Sequence, residues 1–472
     1  MSNLSDLLPA GAGAKSADFV ASGTLGSGQT VALKADGTVE AITGKVSTAV
    51  NFENANSSYI GAAFDSISNK VVVAYQVGAT GKCVIGTVSG SSISFGTSVT
   101  FSAAVETYYN SVVFDAANNK VVIAYAAASF YGTAIVGTVS GSSISFGSAT
   151  VFESATTEYI SATFDSSANK VAIAYKDSAN AGYGTSIVGT VSGTGISFGS
   201  AVVYNAANTD WVSATFDSSS NKVVIAYRDI GNSLYGTAIV GTVSGASISF
   251  GSEVVFNSAQ VRHVSTVFDT NSNKVVFAYR DEGNSSYGTA IVGTVSGTSI
   301  SFGSATVFEA AASLYIGGAF DSTNNKVIIA YDDGGNSSYG TAIVGTVSGT
   351  SISFASPEVF EAGTTRYIVP VFDSNSNKVA IPYADASDLG YGKSVVFDFL
   401  GAEAADFIGI TDQAIADGAS GKVVVQGGVS EKVTSLTANT DYYVQSDGSI
   451  SATVSSVPAG KALSSTSILL KG

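Results

Sequence analysis

A motif that returns about every 52 residues is the strongest constraint on the fold of this chain. The pair Phe-Asp occurs seven times, at intervals of 50, 50, 52, 52, 52 and 52 residues, and each copy is soon followed by Asn-Lys. An apolar run ending in Tyr comes next, and a polar loop then leads to a stretch that usually begins Tyr-Gly. Such regularity predicts one supersecondary unit repeated seven times. The pairs begin at Phe64, Phe114, Phe164, Phe216, Phe268, Phe320 and Phe372.

Each repeat has the pattern of four short β-strands. In the copy over residues 209–261, we predict strands at Trp211–Phe216, Lys222–Tyr227, Gly236–Val243 and Ser247–Phe256, separated by turn-forming residues. The second of these strands is almost continuously apolar. That pattern predicts a strand that is buried on both faces.

Four-stranded units of this length that stack face to face are typical of propeller blades. No 3.6-residue period supports a helical solenoid, a β-helix needs shorter rungs, and a sandwich needs about 100 residues per domain. We therefore predict an all-β fold with a seven-bladed β-propeller over residues 43–400. The seventh repeat lacks a fourth strand, and Val46–Glu53 resembles the missing piece. The N-terminal strand is therefore predicted to close the ring and hide its sheet edges.

The two flanks are predicted to form a second unit. Residues 19–42 and 401–472 both carry short strand patterns and turn signals such as Asp36-Gly37. Ring closure would bring these segments side by side, so we predict one small β domain built from both termini. Residues 1–18 include several Gly and Ala and are predicted to be an extended arm.

Composition excludes several classes of protein. The chain has 21 Lys and Arg against 36 Asp and Glu, a formal charge of −15, so nucleic-acid binding is not expected. The single Cys, Cys83, excludes an intrachain disulfide, and the single His excludes a Cys/His zinc site. We interpret Cys83 as a small buried apolar residue. No long apolar segment and no basic N-terminal stretch occur, so membrane insertion and an export signal are not expected. No cofactor is expected either.

The repeats are uniform at one end and diverse at the other. At the uniform end every copy keeps Phe-Asp-x-x-x-Asn-Lys, in which we expect Asp to accept backbone N–H groups and Asn to adopt positive φ. The variable end consists of the loops after the second strands and the links from each fourth strand to the next first strand. An aromatic side chain stands five residues before each Phe-Asp pair in these links. These residues are Tyr59, Tyr109, Tyr159, Trp211, His263, Tyr315 and Tyr367.

Charged residues accompany the aromatic positions at the variable end. The candidates are Arg228, Asp229, Arg280, Asp281, Asp332 and Asp333. Aromatic faces beside carboxylate and guanidinium groups suit sugar rings, so this set is a candidate glycan-binding surface. The alternative is structural: the aromatics pack against the strands, and the charges form local ion pairs worth under about 1 kcal/mol each. The sequence leaves both interpretations open.

No catalytic residues are assigned. His263 has no evident Ser or Cys partner and replaces a Tyr of the repeat, so we interpret it as a solvated rim residue. Glycoside hydrolysis needs two carboxylates about 5–9.5 Å apart, and Asp332 with Asp333 keeps a carbohydrate-active enzyme as a third hypothesis. The Asp-rich loops leave calcium open, but no spacing matches a known calcium loop, and no metal ligands are assigned.

Short motifs near both ends of the chain stand apart from the repeats. They begin with Leu7-Leu8-Pro9, Asp18-Phe19-Val20, Asp36-Gly37-Thr38-Val39, Phe407-Ile408-Gly409, Leu436-Thr437-Ala438 and Gly460-Lys461-Ala462. Over residues 1–42 and 401–472 the chain resembles tail-fibre-like and other virion structural proteins of tailed bacteriophages, marine ones in particular. The repeats lack the Trp-Asp signature, the sialidase box and the kelch double glycine of other propeller classes.

The resemblance implies a non-enzymatic virion component, made in the host cytoplasm and exposed on the particle. Its terminal β domain would bind other virion proteins, and it would be a homo-oligomer. Fibre-like virion proteins are often trimers, although no coiled-coil heptads enforce that state here. The leading hypothesis is a tail fibre or other host-contact appendage whose variable end binds host surface polysaccharide. The second is a capsid decoration or tail-assembly protein without a ligand of its own.

Overall fold

The computed structural model describes residues 15–34, 36–42, 45–103, 105–402, 404–445 and 448–471. The chain divides into two compact units: the repeat unit, residues 48–397, and the terminal unit, residues 1–47 with 398–472. Strands dominate both units. Three short 3-10 helices occur among the described residues, at Ala128–Phe130, Glu282–Asn284 and Ala404–Asp406. None of the helices within these ranges has both the length and the apolar character that a bilayer-spanning helix requires.

Antiparallel strands of four kinds alternate through the repeat unit. The first strands are Val50–Asp65, Val99–Ser102 with Tyr108–Asp115, Thr150–Asp165, Val202–Asp217, Val254–Asp269, Thr306–Asp321, and Glu358–Arg366 with Val371–Asp373. The second strands are Lys70–Val77, Lys120–Ala126, Lys170–Asp177, Lys222–Asp229, Lys274–Asp281, Lys326–Asp333 and Lys378–Asp385. The third strands are Thr80–Ser89, Tyr131–Ser140, Tyr183–Ser192, Tyr235–Ser244, Tyr287–Ser296, Tyr339–Ser348 and Tyr391–Phe397. The short outer strands are Ser92–Phe95, Ser143–Phe146, Gly195–Phe198, Ser247–Phe250, Ser299–Phe302 and Ser351–Phe354.

In most repeats the link to the next repeat is a continuous strand, where the sequence predicted two separate strands. Val254–Asp269 pairs through its first half with Tyr235–Ser244 and through its second half with Lys274–Asp281 of the next repeat. The predicted fourth strand Ser247–Phe256 is therefore wrong as a single element. It consists of Ser247–Phe250 and the beginning of this long strand.

The first strand is interrupted in two repeats, the second, between Ser102 and Tyr108, and the seventh. In the seventh repeat the interruption lies nearer the Phe-Asp pair. It falls between Arg366 and Val371, at a segment that contains Pro370. Proline has no N–H to donate to a ladder, which accounts for an interruption there. The third strand of this repeat pairs with Val50–Asp65 from the N-terminal side of the repeats, with Ser394 opposite Val50.

The core of the repeat unit lies along the second strands. Val223–Tyr227 in the fourth repeat are all buried, and the same positions are buried in the other repeats. The prediction that these strands are covered on both faces is confirmed. Cys83 is also fully buried and packs in an apolar cluster with Val72 and Ile85, as expected.

The uniform end is built by the predicted turn chemistry. Asp217 Oδ1 accepts backbone N–H groups from Ser219 at 2.9 Å and from Ser220 at 3.0 Å. The Asn of each Asn-Lys pair has a positive φ, between 52° and 57°, a region that Asn tolerates better than most residues. Both parts of that prediction are confirmed.

The terminal unit contains two five-stranded sheets among its described residues. The first contains Ser16–Val20, Thr30–Leu33, Val39–Ala41, Phe407–Thr411 and Ser420–Val425. The second contains Val429–Ser430, Asp441–Val444, Ile450–Ser451, Pro458–Ala462 and Ile468–Leu470. An apolar cluster shared by Ile42, Val424 and Tyr442 joins residues from the two sheets and the N-terminal segment.

Strands from both ends of the chain pair within the terminal unit. Ser16–Val20 lies antiparallel to Ser420–Val425, and Thr30–Leu33 lies beside Phe407–Thr411. Residues 1–14 of the predicted arm lie outside the described residues. The arm prediction is wrong from Ser16 onward, because that segment is held in a sheet by backbone hydrogen bonds.

The Gly of the recurrent Tyr-Gly pair leaves room for an aromatic ring. A Cβ atom on Gly236 would lie 2.5 Å from Cε2 of Phe256, far inside van der Waals contact. Phe256 in turn packs against Tyr279 of the next repeat, with ring centroids 5.2 Å apart. The pair Tyr-Gly therefore recurs because Gly admits the ring that joins one repeat to the next.

We expect Gly236→Ala to destabilise the protein by about 1–3 kcal/mol through overpacking. The control is Gly195→Ala, where the nearest atom to an added Cβ is 3.8 Å away, and this variant should lie within about 0.5 kcal/mol of wild type. Chemical denaturation of the two variants measures the difference. Equal losses in both would contradict the packing role of Gly236.

Candidate functional site

The seven aromatic residues of the variable end occupy equivalent backbone positions, which in six repeats form a β-bulge in the first strand and in the seventh, at Tyr367, lie where that strand is interrupted. Their φ angles are all positive, from 48° to 54°, a left-handed conformation that is rare for bulky residues. In the fourth repeat, the pairing with the second strand shifts register between Asp210 and Ser213, on either side of Trp211. The half of the strand that pairs with the preceding repeat ends at Asn208, so Thr209 and Asp210, just before the bulge, already pair with the second strand of the following repeat.

The seven aromatic side chains form a continuous cycle of ring contacts, which we call the aromatic cluster. Centroid distances between successive members run from 5.2 to 5.5 Å, except for Trp211 and His263 at 4.2 Å. Tyr367 contacts Tyr59, so the last member meets the first. Every member is half-buried. These contacts match the structural alternative, while the exposed remainder of each ring is available to a ligand.

His263 is part of this cluster, and its interpretation as a solvated rim residue is wrong. Its Nδ1 accepts a hydrogen bond from the backbone N–H of Tyr315, with 3.2 Å between the two nitrogens. Burial, together with the positive charges of Arg280, Arg262 and Arg228, lowers the pKa of His263 to about 3. The imidazole is therefore neutral at physiological pH and accepts a hydrogen bond in place of donating a proton.

The loop aspartates among the candidate residues hold their own loops. Asp229 accepts the N–H of Asn232 at 3.1 Å, and Asp281 accepts that of Gly283 at 3.0 Å. Asp333 accepts the N–H groups of Gly335 and Asn336 at 2.9 and 3.2 Å. These three carboxylates act in turns, as the Asp residues of the uniform end do.

Asp332 differs from the loop aspartates because it lies inside the sheet. Asp332 is only 1% exposed, and its Oδ1 has no hydrogen-bond partner among the residues that the structure describes. Burial raises the pKa of this carboxyl to about 6, against the lowering effect of a Ser338 hydrogen bond. Asp332 and Asp333 thus have separate surroundings, and no pair of free carboxylates faces solvent here.

Three arginines lie in neighbouring repeats beside His263; we call them the arginine cluster. Arg228 binds Asp210 through two nitrogens, with Nε 2.6 Å from Oδ1. Arg262 and Arg280 lie opposite each other in a strand pair. Both contact Oε1 of Glu282, Arg262 at 3.1 Å and Arg280 at 3.2 Å. Arg262 was not among the sequence candidates, although it directly precedes His263. Its side chain is 44% exposed, the most of the three.

A pair of stacked aromatic rings at the variable end also escaped the sequence analysis. Tyr108 and Phe130 lie parallel, with centroids 4.7 Å apart and planes 20° apart. Phe130 is 39% exposed, the adjacent Tyr131 is 41% exposed, and Tyr108 also contacts Tyr59 of the aromatic cluster. The signal was available: the loop after the second strand contains Ser129-Phe130-Tyr131 in this repeat, and most other copies have polar turn residues there.

A cavity of about 400 Å³ lies elsewhere, between the first strands of four successive repeats. Phe and Thr side chains dominate its wall, and no charged residue lines it. Phe164, Phe216, Phe268 and Phe320 from the Phe-Asp pairs contribute, which places the cavity toward the uniform end. Among the described residues, no group of three or more His, Cys, Asp or Glu side chains is arranged to hold a metal ion.

No protein-family model and no curated protein sequence matches this chain. Solved structures match it in fold. The BP39L lectin from Burkholderia pseudomallei has 11% sequence identity and a TM-score of 0.53, over 74% of this chain and 97% of the lectin. The repeat unit is a β-propeller. The β-propeller domain of Cps50 (Swd1) from Myceliophteria thermophila has 8% identity and a TM-score of 0.49, over 74% and 99% of the two chains. The likeness to BP39L confirms the predicted all-β fold and propeller, whereas the blade count and the closure of the ring stay predictions.

His263 should make the stability of the propeller pH-dependent. Its folded pKa near 3 lies below the ordinary value of 6.5, so the unfolded chain binds a proton first as pH falls. Stability from this residue is complete above pH 6.5 and falls toward pH 3, by at most about 1.4 kcal/mol per pH unit. His263→Asn offers Oδ1 as an acceptor for Tyr315 and does not titrate, so its stability should fall less steeply over pH 6.5–4. Parallel curves from urea denaturation would contradict the assignment.

Asp332 should have the opposite effect. Its raised pKa means that the folded protein holds a proton between about pH 4 and 6 that the unfolded chain has lost, so wild-type stability falls as pH rises through this range. We expect Asp332→Asn to gain about 1–3 kcal/mol at pH 7–8 and nothing below pH 4. Asp333→Asn, the control, should lose stability at pH 7 because it weakens the loop hydrogen bonds. Thermal unfolding at pH 4 and 8 tests both variants, and no gain from Asp332→Asn would refute the buried charge.

Proposed function

We propose that the repeat unit is a carbohydrate-binding propeller and that its variable end is the ligand surface. One observation carries this proposal: a pair of stacked rings, the half-buried Tyr108 and the exposed Phe130, adjoins the half-buried aromatic cluster through Tyr59. Aromatic faces offer apolar area at low entropic cost, and the apolar C–H face of a sugar ring lies flat on such a surface. Polar loop residues around them would accept and donate hydrogen bonds to hydroxyl groups. The likeness to BP39L adds that a lectin uses this fold.

We further propose that the propeller has seven blades and that the N-terminal strand completes the last one. The pairing of Tyr391–Phe397 with Val50–Asp65 supports this arrangement. The ring contact between Tyr367 and Tyr59 supports it independently, because these residues belong to the last and first repeats. A complete ring would leave no strand edge of the propeller open to another chain.

For the biological role of the chain, we propose that it is a virion protein of a tailed bacteriophage and that it binds glycan without cleaving it. The terminal motifs support this origin through their resemblance to tail-fibre-like proteins. The terminal unit would attach the protein to the particle, and the propeller would meet the host surface as an exposed appendage. A capsid decoration or tail-assembly role is the alternative, and the mutual packing of the aromatic cluster is the observation that favours it.

The proposal predicts that the purified protein binds polysaccharides on a printed array of bacterial surface glycans. Phe130→Ala removes the exposed half of the stack and should weaken that binding at least tenfold, since aromatic contacts at a centre of binding carry much of the energy. Surface plasmon resonance against the bound glycans measures the loss. The same glycans, incubated with the protein, should release no oligosaccharide.

The matched control is Leu389→Ala. Leu389 is an exposed apolar side chain at positive φ in the corresponding loop of the seventh repeat. Its removal should leave glycan binding within twofold of wild type. Absence of binding to every glycan on the array, or equal losses in the two variants, would contradict the assigned surface.

A further inference from the structure

Arginine is unevenly distributed in this chain. Only four of its 21 basic residues are Arg, and all four belong to the variable end. Arg228, Arg262 and Arg280 lie in two adjacent repeats and form the arginine cluster, whereas Arg366 belongs to the seventh repeat. At the uniform end the basic residue of every repeat is a Lys, the Lys of the Asn-Lys pair. A planar guanidinium binds carboxylate groups through two parallel hydrogen bonds, which an ammonium group does not do.

The arginine cluster has more donors than its protein partners use. Each guanidinium offers five N–H donors. Arg228 directs Nε and Nη2 to Asp210, Arg280 and Arg262 share one oxygen of Glu282, and Arg280 Nη2 reaches Ser286 at 3.0 Å. In the amide orientation that satisfies its neighbours, the side-chain oxygen of Gln260 also accepts from Arg228 Nη1 at 3.1 Å and from Nε and Nη2 of Arg262 at 3.2 Å. Several N–H groups of the three guanidinium groups are still left over. Arg262 and Arg280 stand directly opposite each other in the ladder, where like charges repel. An additional anion at this position would relieve that repulsion and take up unused donors.

The surroundings of the cluster suit an anion beside a sugar ring. Trp211 and His263 stack at 4.2 Å, and all three arginines lie close enough to His263 to lower its pKa. The imidazole is therefore neutral, and the charge available to a ligand comes from the guanidinium groups alone. Arg262 is the most exposed of the three, while Arg228 and Arg280 are held by Asp210 and Glu282. Arg228 and Arg280 are therefore fixed in position, and Arg262 is the member of the cluster that a ligand can reach.

We propose that Arg262, supported by Arg228 and Arg280, binds the carboxylate of a uronic-acid residue, so that the protein selects acidic polysaccharides. This inference rests on the proposed glycan-binding function and names the ligand class of that surface. Trp211 lies beside the carboxylate position and contacts the sugar ring that carries it. Glu282 limits the affinity, because it competes with the ligand for the same two guanidinium groups.

The test uses the full chain and two polymers with the same sugar backbone, polygalacturonate, whose carboxylates are free, and its fully methyl-esterified form, which carries no charge. Trp211 is the only tryptophan in the chain, so its fluorescence reports directly on this site. At 0.15 M salt the wild type should bind polygalacturonate at least tenfold more tightly than the ester. Arg262→Gln should abolish that preference and leave affinity for the ester within twofold.

Two further variants separate the subsite from general effects of charge and folding. Lys274→Gln removes one positive charge from the opposite end of the strand that carries Arg280, and it should change neither affinity. Glu282→Gln frees both guanidinium groups and should raise affinity for polygalacturonate severalfold. A merely structural role for the Arg–Glu contacts predicts a loss in the second case.

The outcomes distinguish this inference from the proposed function. Equal binding of the two polymers, or equal losses in Arg262→Gln and Lys274→Gln, overturns the carboxylate subsite and leaves glycan binding intact. Failure of the wild type to bind polygalacturonate also overturns the subsite. Only failure to bind any array glycan overturns carbohydrate binding itself. Circular dichroism of each variant shows that the strands are retained.

Discussion

The repeat unit depends on a strand that is shared between neighbours. Each first strand begins beside the third strand of one repeat and ends beside the second strand of the next, and one left-handed residue follows shortly after this change of partner. A repeat therefore cannot form its sheet without the preceding one, which couples the repeats more tightly than stacking alone. The bulge also brings seven aromatic side chains, about 52 residues apart in sequence, into mutual contact.

Sequence patterns predicted the parts of the fold that local chemistry determines. The buried second strands follow from their apolar runs, and the turns of the uniform end follow from Asp and Asn. The shared strand was missed because a bulky residue at positive φ leaves no mark in a local pattern. The role of His263 was missed for a related reason: its environment comes from Tyr315 and from arginines of its own and the preceding repeat. Contacts between repeats decide both features.

The candidate site, like the fold, could be predicted from sequence only where local patterns determine it. The aromatic positions could be read from the repeat period alone, but the loop aspartates looked like ligand groups only because their amide partners are not visible in sequence. Conversely, the stack of Tyr108 on Phe130 lies in the repeat whose loop breaks the polar pattern. In a repeat array, departure from the common pattern is the better guide to function, because the common residues are committed to the framework.

The variable end varies most at one paired position. The residue before each aromatic position lies opposite the end of a second strand, and four of the seven pairs are Glu158 with Lys176, Asp210 with Arg228, Arg262 with Arg280, and Leu314 with Asp332. The same backbone thus holds an ion pair, a bidentate pair, a repulsive pair and a buried acid. The repulsive pair has two guanidinium groups that share one carboxylate, that of Glu282, so a local need for negative charge remains there although the chain as a whole carries −15. At about 0.15 M salt, charges beyond some 8 Å are screened, so this local need outweighs the net charge for a bound anion.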